Sequence, residues 1–218
     1  MYFNIHTHIL SGNENQTVNI LNVDAGSDIP VNGFISVGLH PWYLTEVNAG
    51  NNFNILQSAI VQDNVLAIGE CGLDKMIQTP FSLQLYWFKQ QLLLAQEADL
   101  PVIVHCVRAF SEVVHAVKSL KIAVPVIFHG FNKKTELAQS LIEQGFYLSF
   151  GKSLMKSEQV ANAFRTIPIK KAFLETDDQS EYSVQDMYKK AAKLLDITED
   201  AFLLQKEQHF RETFRRFV

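Results

Sequence analysis

Cysteine is nearly absent from this chain, and its scarcity limits how the fold can be stabilised. Only Cys71 and Cys106 occur among 218 residues, which is too few for the disulfide framework of a small secreted domain. Each follows a candidate ligand residue on a predicted strand, so its side chain points to the opposite face. We therefore expect both cysteines to pack as small apolar residues.

An excess of positive charge and long apolar runs are also lacking. There are 19 Lys and Arg residues against 23 Asp and Glu, giving a formal net charge of −4, so nothing predicts a general attraction to nucleic acid or anionic membranes. No apolar run approaches the roughly 18 residues of a membrane span. The N-terminus also lacks the basic and apolar regions of a signal peptide. We expect a cytoplasmic monomer with no membrane contact and no evident protein partner.

The apolar residues that are present fall into eight short runs, and most of these alternate with helical patterns. Short β-branched runs are typical of strands buried on both faces of a parallel sheet. The sequence therefore predicts one α/β domain over residues 1–218, a compact (β/α)8 TIM-like barrel. Its connection after strand 2 is shortened, because residues 24–30 read as a turn. A doubly wound open sheet is the alternative. The predicted strands are 3–8, 17–23, 34–39, 65–69, 102–105, 124–129, 146–150 and 171–176.

Histidine and carboxylate residues recur at the ends of these strands. His6 and His8 are two residues apart on the first strand, so their side chains share one face. Four more candidates follow the fourth, fifth, sixth and eighth apolar runs: Glu70, His105, His129 and Asp177. Strand ends converge on one face of a closed barrel, whereas these five strands could not all meet at one point of an open sheet.

Four imidazoles and two carboxylates exceed the needs of one four-coordinate zinc and fit two divalent metal ions (Zn, Mn, Mg or Fe). Glu70 is the best bridge, because a carboxylate has two oxygens to share. The sequence assigns His6, His8 and Asp177 to one metal and His105 and His129 to the other. Asp177 would also act as general base toward a metal-activated water.

The segments that carry these residues resemble one known family, the TatD-type metal-dependent deoxyribonucleases and hydrolases. The matching segments are 5–8, 37–41, 67–74, 101–106, 127–131 and 174–177, in the family's order. The resemblance implies a (β/α)8 barrel with a one- or two-metal site. Its metal ligands, carried over by position, are His6, His8, Glu70, His105, His129 and Asp177. It also implies metal-dependent hydrolysis of phosphodiesters in DNA.

Substrate identity is less constrained, because the differences from the family pattern gather at the predicted mouth of the barrel. Val107, Asn132-Lys133 and Asp178-Gln179 stand where the family usually has Arg, Ser-Gly and Pro. Trp42 and Tyr43 could stack on a base or simply pack under a loop. The candidate substrate contacts are His40, Asp74, Arg108, Asn132 and Lys152.

Three functions remain open from the sequence. The first is a phosphodiesterase or deoxyribonuclease that acts on DNA or a small phosphoester. The second is a hydrolase of the same fold that cleaves a carbon–oxygen or carbon–nitrogen bond, as in a lactone or an amide. The third is a non-catalytic metal-stabilised binding protein, which the complete ligand set argues against. His115 and His209 lie within predicted helices, and we expect both to be structural.

Overall fold

Eight parallel strands organise the protein in a computed structural model that describes residues 1–10 and 16–217. Successive strands are neighbours in one sheet of order β1 to β8, and β1 meets β8 through a parallel bridge between Thr7 and Asp177. This is the topology of a (β/α)8 barrel, as predicted. The strands are β1 (Tyr2–Thr7), β2 (Thr17–Asp24), β3 (Phe34–Gly38), β4 (Val65–Asp74), β5 (Val102–Val107), β6 (Val126–Phe128), β7 (Tyr147–Phe150) and β8 (Ala172–Leu174).

Helices follow the strands from β3 onward. No helix occurs between β2 and β3, which confirms the shortened connection. Two short helices follow β7 and meet at Ser157. Ser157 caps the second of them by accepting a hydrogen bond from the backbone N–H of Val160. The helices are α1 (Ala49–Ala59), α2 (Phe81–Ala98), α3 (Phe110–Ser119), α4 (Thr135–Glu143), α5 (Lys152–Lys156), α6 (Glu158–Thr166), α7 (Val184–Leu194) and α8 (Glu199–Thr213).

Two strands extend further than the sequence predicts. β4 continues through Glu70 to Asp74, and β5 continues through His105 to Val107. Glu70 and His105 therefore lie within strands and not at their ends. Residues 11–15, a polar stretch whose Gly and Asn residues predict a loop, lie outside the described residues.

The contacts group the chain into two compact units, the first comprising residues 1–21 with 127–213. In its core, the rings of Phe3 and Phe210 stack with their centroids 4.3 Å apart. Buried Asn4 joins β1 to the segment after β8: its Nδ2 donates to Thr176 Oγ1 at 2.8 Å, and its Oδ1 accepts from Thr176 N–H at 2.9 Å. These paired bonds satisfy a buried amide and fix the register between the first and last strands.

The second unit comprises residues 22–126 with 214–217. Two buried glutamines on α2 bind the ends of its strands. Gln84 Oε1 accepts from Asp74 N–H at 2.8 Å, and Gln91 Oε1 accepts from Leu39 N–H at 2.7 Å. At Gly72, where φ is +152°, the backbone approaches the carbonyl of His105 too closely to admit a side chain. The single-domain organisation over 1–218 stays a prediction.

None of the helices within 1–10 and 16–217 combines the length and the apolarity that crossing a lipid bilayer requires.

Candidate metal centre

In the first unit, β1 and the segment after β8 bring two imidazoles to one carboxylate. Nε2 of His6 lies 3.5 Å from Oδ1 of Asp177, and Nε2 of His8 lies 3.6 Å from the same oxygen. The backbone holds Asp177 in place, because its N–H donates to the carbonyl of His6 at 3.0 Å and its carbonyl accepts from His8 N–H at 2.9 Å. The structure thus brings together the three residues that the sequence assigned to one metal.

A second group in this unit contains a residue that the sequence analysis missed. Glu175 is completely buried. Its Oε1 accepts from Gly130 N–H at 2.6 Å and lies 3.5 Å from Nδ1 of His129. Its Oε2 has no hydrogen-bond partner among the described residues. Ligand atoms of His129, Glu175 and Asp177 all lie within 4.8 Å of one another, so these residues could hold a cation.

The signal for Glu175 was present in the sequence. Glu175 and Asp177 are two residues apart after an apolar run, in the same spacing as His6 and His8, and that spacing suggests a shared face. A fully buried carboxylate is rare unless it is paired or bound to a metal. Of the two carboxylates, Glu175 is the more deeply buried.

A pocket of about 90 Å³ lies beside Asp177 in the first unit. Two predicted substrate contacts, Asn132 and Lys152, line it together with Ser153. The lining residues include two amides, two hydroxyl residues and one lysine together with the carboxylate residues Glu175 and Asp177. The pocket residues are Gly130, Asn132, Gly151, Lys152, Ser153, Glu175, Thr176, Asp177 and Gln179.

In the second unit, two imidazoles contact one carboxylate oxygen of Glu70. Nδ1 of His105 lies 2.7 Å from Oε1 of Glu70, and Nε2 of His40 lies 3.1 Å from it. The backbone N–H of Trp42 donates to His40 Nδ1 at 3.2 Å. A neutral His40 therefore carries its proton on Nε2 and donates it to Glu70. The structure places His40, predicted as a substrate contact, directly against a candidate metal ligand.

Glu70 is held from its backbone as well. Its N–H donates to Oδ1 of Asn22 at 2.6 Å, and the peptide bond between Gly69 and Glu70 is cis. Only 4% of Glu70 is exposed. Because hydrogen bonds hold both the backbone N–H and the side chain of Glu70, the carboxylate has a fixed position on β4.

Asp74 extends this cluster toward an aromatic side chain. Its Oδ2 accepts from Trp42 Nε1 at 2.8 Å and lies 3.4 Å from His105 Nε2, and its Oδ1 accepts from Met76 N–H at 2.7 Å. Burial alone would raise the pKa of Asp74. The hydrogen bonds from Trp42, Met76 and His105 outweigh burial and lower this pKa below its ordinary value. Asp74 is therefore an anion that orients its neighbours.

The remaining predictions about the site stay predictions. A bridging role for Glu70, and a shared metal for His105 and His129, would join residues of the two units. Arg108 follows the end of β5 and is exposed. The structural roles of His115 and His209 also stay predictions; the two residues lie on α3 and α8.

The donor set fits divalent metal ions such as Zn or Mn. Each cluster offers both imidazole nitrogens and a carboxylate oxygen, a mixture that suits borderline metals. Glu175 Oε2, buried without a described partner, is an acceptor whose desolvation a bound cation would offset. The residues therefore match what a metal-dependent enzyme requires.

Comparison with known proteins supports this interpretation. The family model described as TatD related DNase matches residues 5–215. An uncharacterized metal-dependent hydrolase from Haemophilus influenzae is 26% identical over 157 residues, which cover 68% of this chain and 60% of that protein. The uncharacterized metal-dependent hydrolase YabD from Bacillus subtilis is 31% identical over 151 residues, which cover 66% and 58%. The matched region thus spans about 60% of the length of these curated relatives.

Among solved structures, the crystal structure of YJJV, a TatD homolog from Escherichia coli, superimposes with a TM-score of 0.83. The match covers 98% of each chain at 21% sequence identity. Identity at this level shows a shared fold and nothing beyond it.

Proposed function

The chain belongs to the family of TatD-related DNases, and from this premise we propose that it is a metal-dependent hydrolase that cleaves phosphodiester bonds. The proposed substrate is DNA or a smaller phosphoester. The observation that carries the proposal is the convergence of His6, His8 and Asp177: Nε2 of each histidine lies within 3.6 Å of Oδ1 of Asp177, between the end of β1 and the segment after β8.

In this proposal two divalent ions would be held by side chains that are already in place. His6, His8 and Asp177 would hold one ion, and Glu70 with His105 would contribute to the other. When bound, such ions lower the pKa of water, polarise the scissile group and stabilise the leaving oxygen. His40 keeps Glu70 in position, because it donates to the same oxygen that His105 contacts.

Asp177 is the proposed general base. Its side chain is 35% exposed and lines the pocket, so it can accept a proton from an attacking water. The backbone bonds to His6 and His8 fix this carboxylate and reduce the entropy lost when it reaches a reactive geometry. Lys152 lines the same pocket and is the proposed contact to a substrate phosphate.

One observation favours a second candidate. Two carboxylates, Glu175 and Asp177, line the pocket against one ammonium group, Lys152. Because the carboxylates outnumber the ammonium group, the wall favours a neutral group with hydrogen-bond donors over a polyanion. The alternative is therefore a hydrolase of the same fold that acts on a lactone, an amide or another small carbon–oxygen or carbon–nitrogen substrate.

A substrate panel with variants tests the proposal. The purified protein with Mn²⁺ or Zn²⁺ is assayed on single-stranded DNA, bis(p-nitrophenyl) phosphate, a lactone and an amide, each with and without EDTA. We expect chelator-sensitive cleavage of the phosphodiesters. Glu70→Ala and Asp177→Ala should abolish this cleavage while far-ultraviolet circular dichroism stays unchanged.

Asp178→Ala provides the matched control, since it removes the adjacent exposed carboxylate and should retain activity. Full activity in Asp177→Ala would contradict the mechanism. Cleavage of the lactone or amide alone would replace the proposed function with the alternative.

A further inference from the structure

Trp42 combines high exposure with a fixed orientation. It leaves 55% of its surface in solvent, as does its neighbour Tyr43 at 58%. A single exposed apolar residue is ordinary in soluble proteins. Trp42 differs because its indole N–H donates to Oδ2 of Asp74 at 2.8 Å, and Asp74 is itself buried and held by Met76.

The imidazoles of the second unit fix the ring further. The Trp42 ring lies edge-on to His40, with centroids 5.1 Å apart and planes at 87°, and to His105, with centroids 5.7 Å apart and planes at 77°. Three contacts thus orient an indole that leaves more than half of its residue's surface in solvent. A ring that is oriented before binding loses little conformational entropy when a flat ligand covers it.

The Trp42 indole lies beside the cluster formed by His40, His105 and Glu70. Trp42 contacts the ring of His105 and, through its backbone N–H, Nδ1 of His40. Both imidazoles contact Glu70. A group stacked on Trp42 would therefore lie next to the cluster that we propose to hold a metal.

We propose that Trp42 is the stacking platform for an aromatic ring of the substrate, the nucleobase next to the phosphodiester that is cleaved. This inference rests on the proposed function and adds the substrate feature that the site recognises. An indole face binds every base, because stacking needs only a π surface. The platform therefore predicts recognition of a nucleotide with little preference among bases.

Tryptophan fluorescence tests the binding step directly. The chain has two tryptophans, so Trp87→Phe leaves Trp42 as the only indole emitter. This variant is titrated with thymidine monophosphate and, separately, with deoxyribose 5-phosphate, which lacks the base. We expect the nucleotide to quench the emission and the sugar phosphate to leave it unchanged. Equal responses to the two ligands, or no response to either, would overturn the inference.

Kinetics test the consequence for catalysis. Trp42→Leu should raise KM for a dinucleotide about 5- to 100-fold, the change expected for loss of one base–aromatic stack, with a much smaller effect on kcat. Trp42→Phe should restore most of the affinity. Tyr86→Leu is the matched control, because Tyr86 is equally exposed, at 56%, on α2.

The outcomes separate the two proposals. Dinucleotide cleavage with an unchanged KM in Trp42→Leu would overturn the stacking role and leave the proposed function intact. Quenching by the nucleotide without cleavage of any phosphodiester would support the stacking role and contradict the proposed function.

Discussion

At the scale of single residues, Glu175 connects the buried core of the first unit to the candidate metal centre. Its carboxylate is fully buried between Gly130 N–H and the imidazole of His129. When a carboxylate lies beside a metal-binding histidine, it fixes the orientation of the imidazole ring and raises the basicity of the ring nitrogen. We therefore expect Glu175 to strengthen metal binding through His129, whether or not Oε2 itself reaches a metal.

Glu175→Gln tests this role. The amide keeps an oxygen for Gly130 but loses the negative charge beside His129. We expect metal affinity to fall about 10- to 100-fold, the usual effect of removing such a partner. Calorimetric titration of the apoprotein with Mn²⁺ gives the measurement. Glu181→Gln, at an exposed position farther along the same segment, should bind as the parent does, and equal affinity in both variants would refute the role.

At the residue scale, the sequence predicts only those contacts that follow from the spacing of nearby residues. The His6–His8 pair could be predicted because a strand repeats every two residues. The pairing of Trp42 with Asp74 could not, because the two residues are separated by 31 others and only the fold brings the indole N–H to the carboxylate.

At the scale of elements, α8 carries a buried charge against the start of β8. Lys206 is 1% exposed, and its Nζ donates to the carbonyls of Ile169 and Ala172 and lies 4.4 Å from the centroid of the Phe173 ring. Burial lowers its pKa from the ordinary value of 10.5 to about 7. His209, one turn farther along α8, also has a lowered pKa, mainly through burial and then through Lys206.

This burial predicts the sign of a pH effect on stability. Between pH 7 and about 10 the unfolded chain keeps the Lys206 proton and the folded protein loses it, so the free energy of unfolding should rise with pH. Below pH 7 the full penalty of burying the charge remains. Relative to Lys206→Met, the parent should gain up to about 1.4 kcal/mol per pH unit across this range.

Urea unfolding at pH 7, 8 and 9 measures this difference. Lys189→Met, at an exposed position on α7, is the control and should follow the parent at each pH. A constant difference between the parent and Lys206→Met would show that Lys206 keeps its proton in the folded protein.

The elements also show where sequence patterns stop being sufficient. Strand periodicity located all eight strands, but it ended β4 at residue 69 although the strand continues to Asp74. Residues 70–74 include two carboxylates and a glycine, which local preferences place outside strands. Pairing with β5 and the hydrogen bond that Gln84 accepts from the Asp74 backbone N–H extend the strand, and both depend on residues outside the local strand pattern.

At the scale of the whole molecule, metal binding should contribute to stability as well as to catalysis. A ligand that binds only the folded state stabilises it by about 2.7 kcal/mol at 100 times its Kd. We expect EDTA to lower the thermal unfolding midpoint and excess Mn²⁺ or Zn²⁺ to restore it.

Paired histidine variants assign this effect to the proposed site. His8→Asn should lose a large part of the metal-dependent stabilisation, because His8 lies 3.6 Å from Asp177. His115→Asn, on the exposed side of α3, should keep all of it. Midpoints that do not change with EDTA, as measured by scanning calorimetry, would contradict metal binding at these residues.

The sequence by itself determined the eight strands, the shortened connection after β2 and the candidate histidine and carboxylate ligands that recur in or just after these strands. These features follow from periodicity and turn chemistry, which act over a few neighbouring residues. Only the tertiary structure decided that Glu175 accompanies His129, that His40 donates to Glu70 and that Asp74 orients Trp42. Each of these contacts joins side chains more than 29 positions apart, and at that distance the packing of the fold selects the partner.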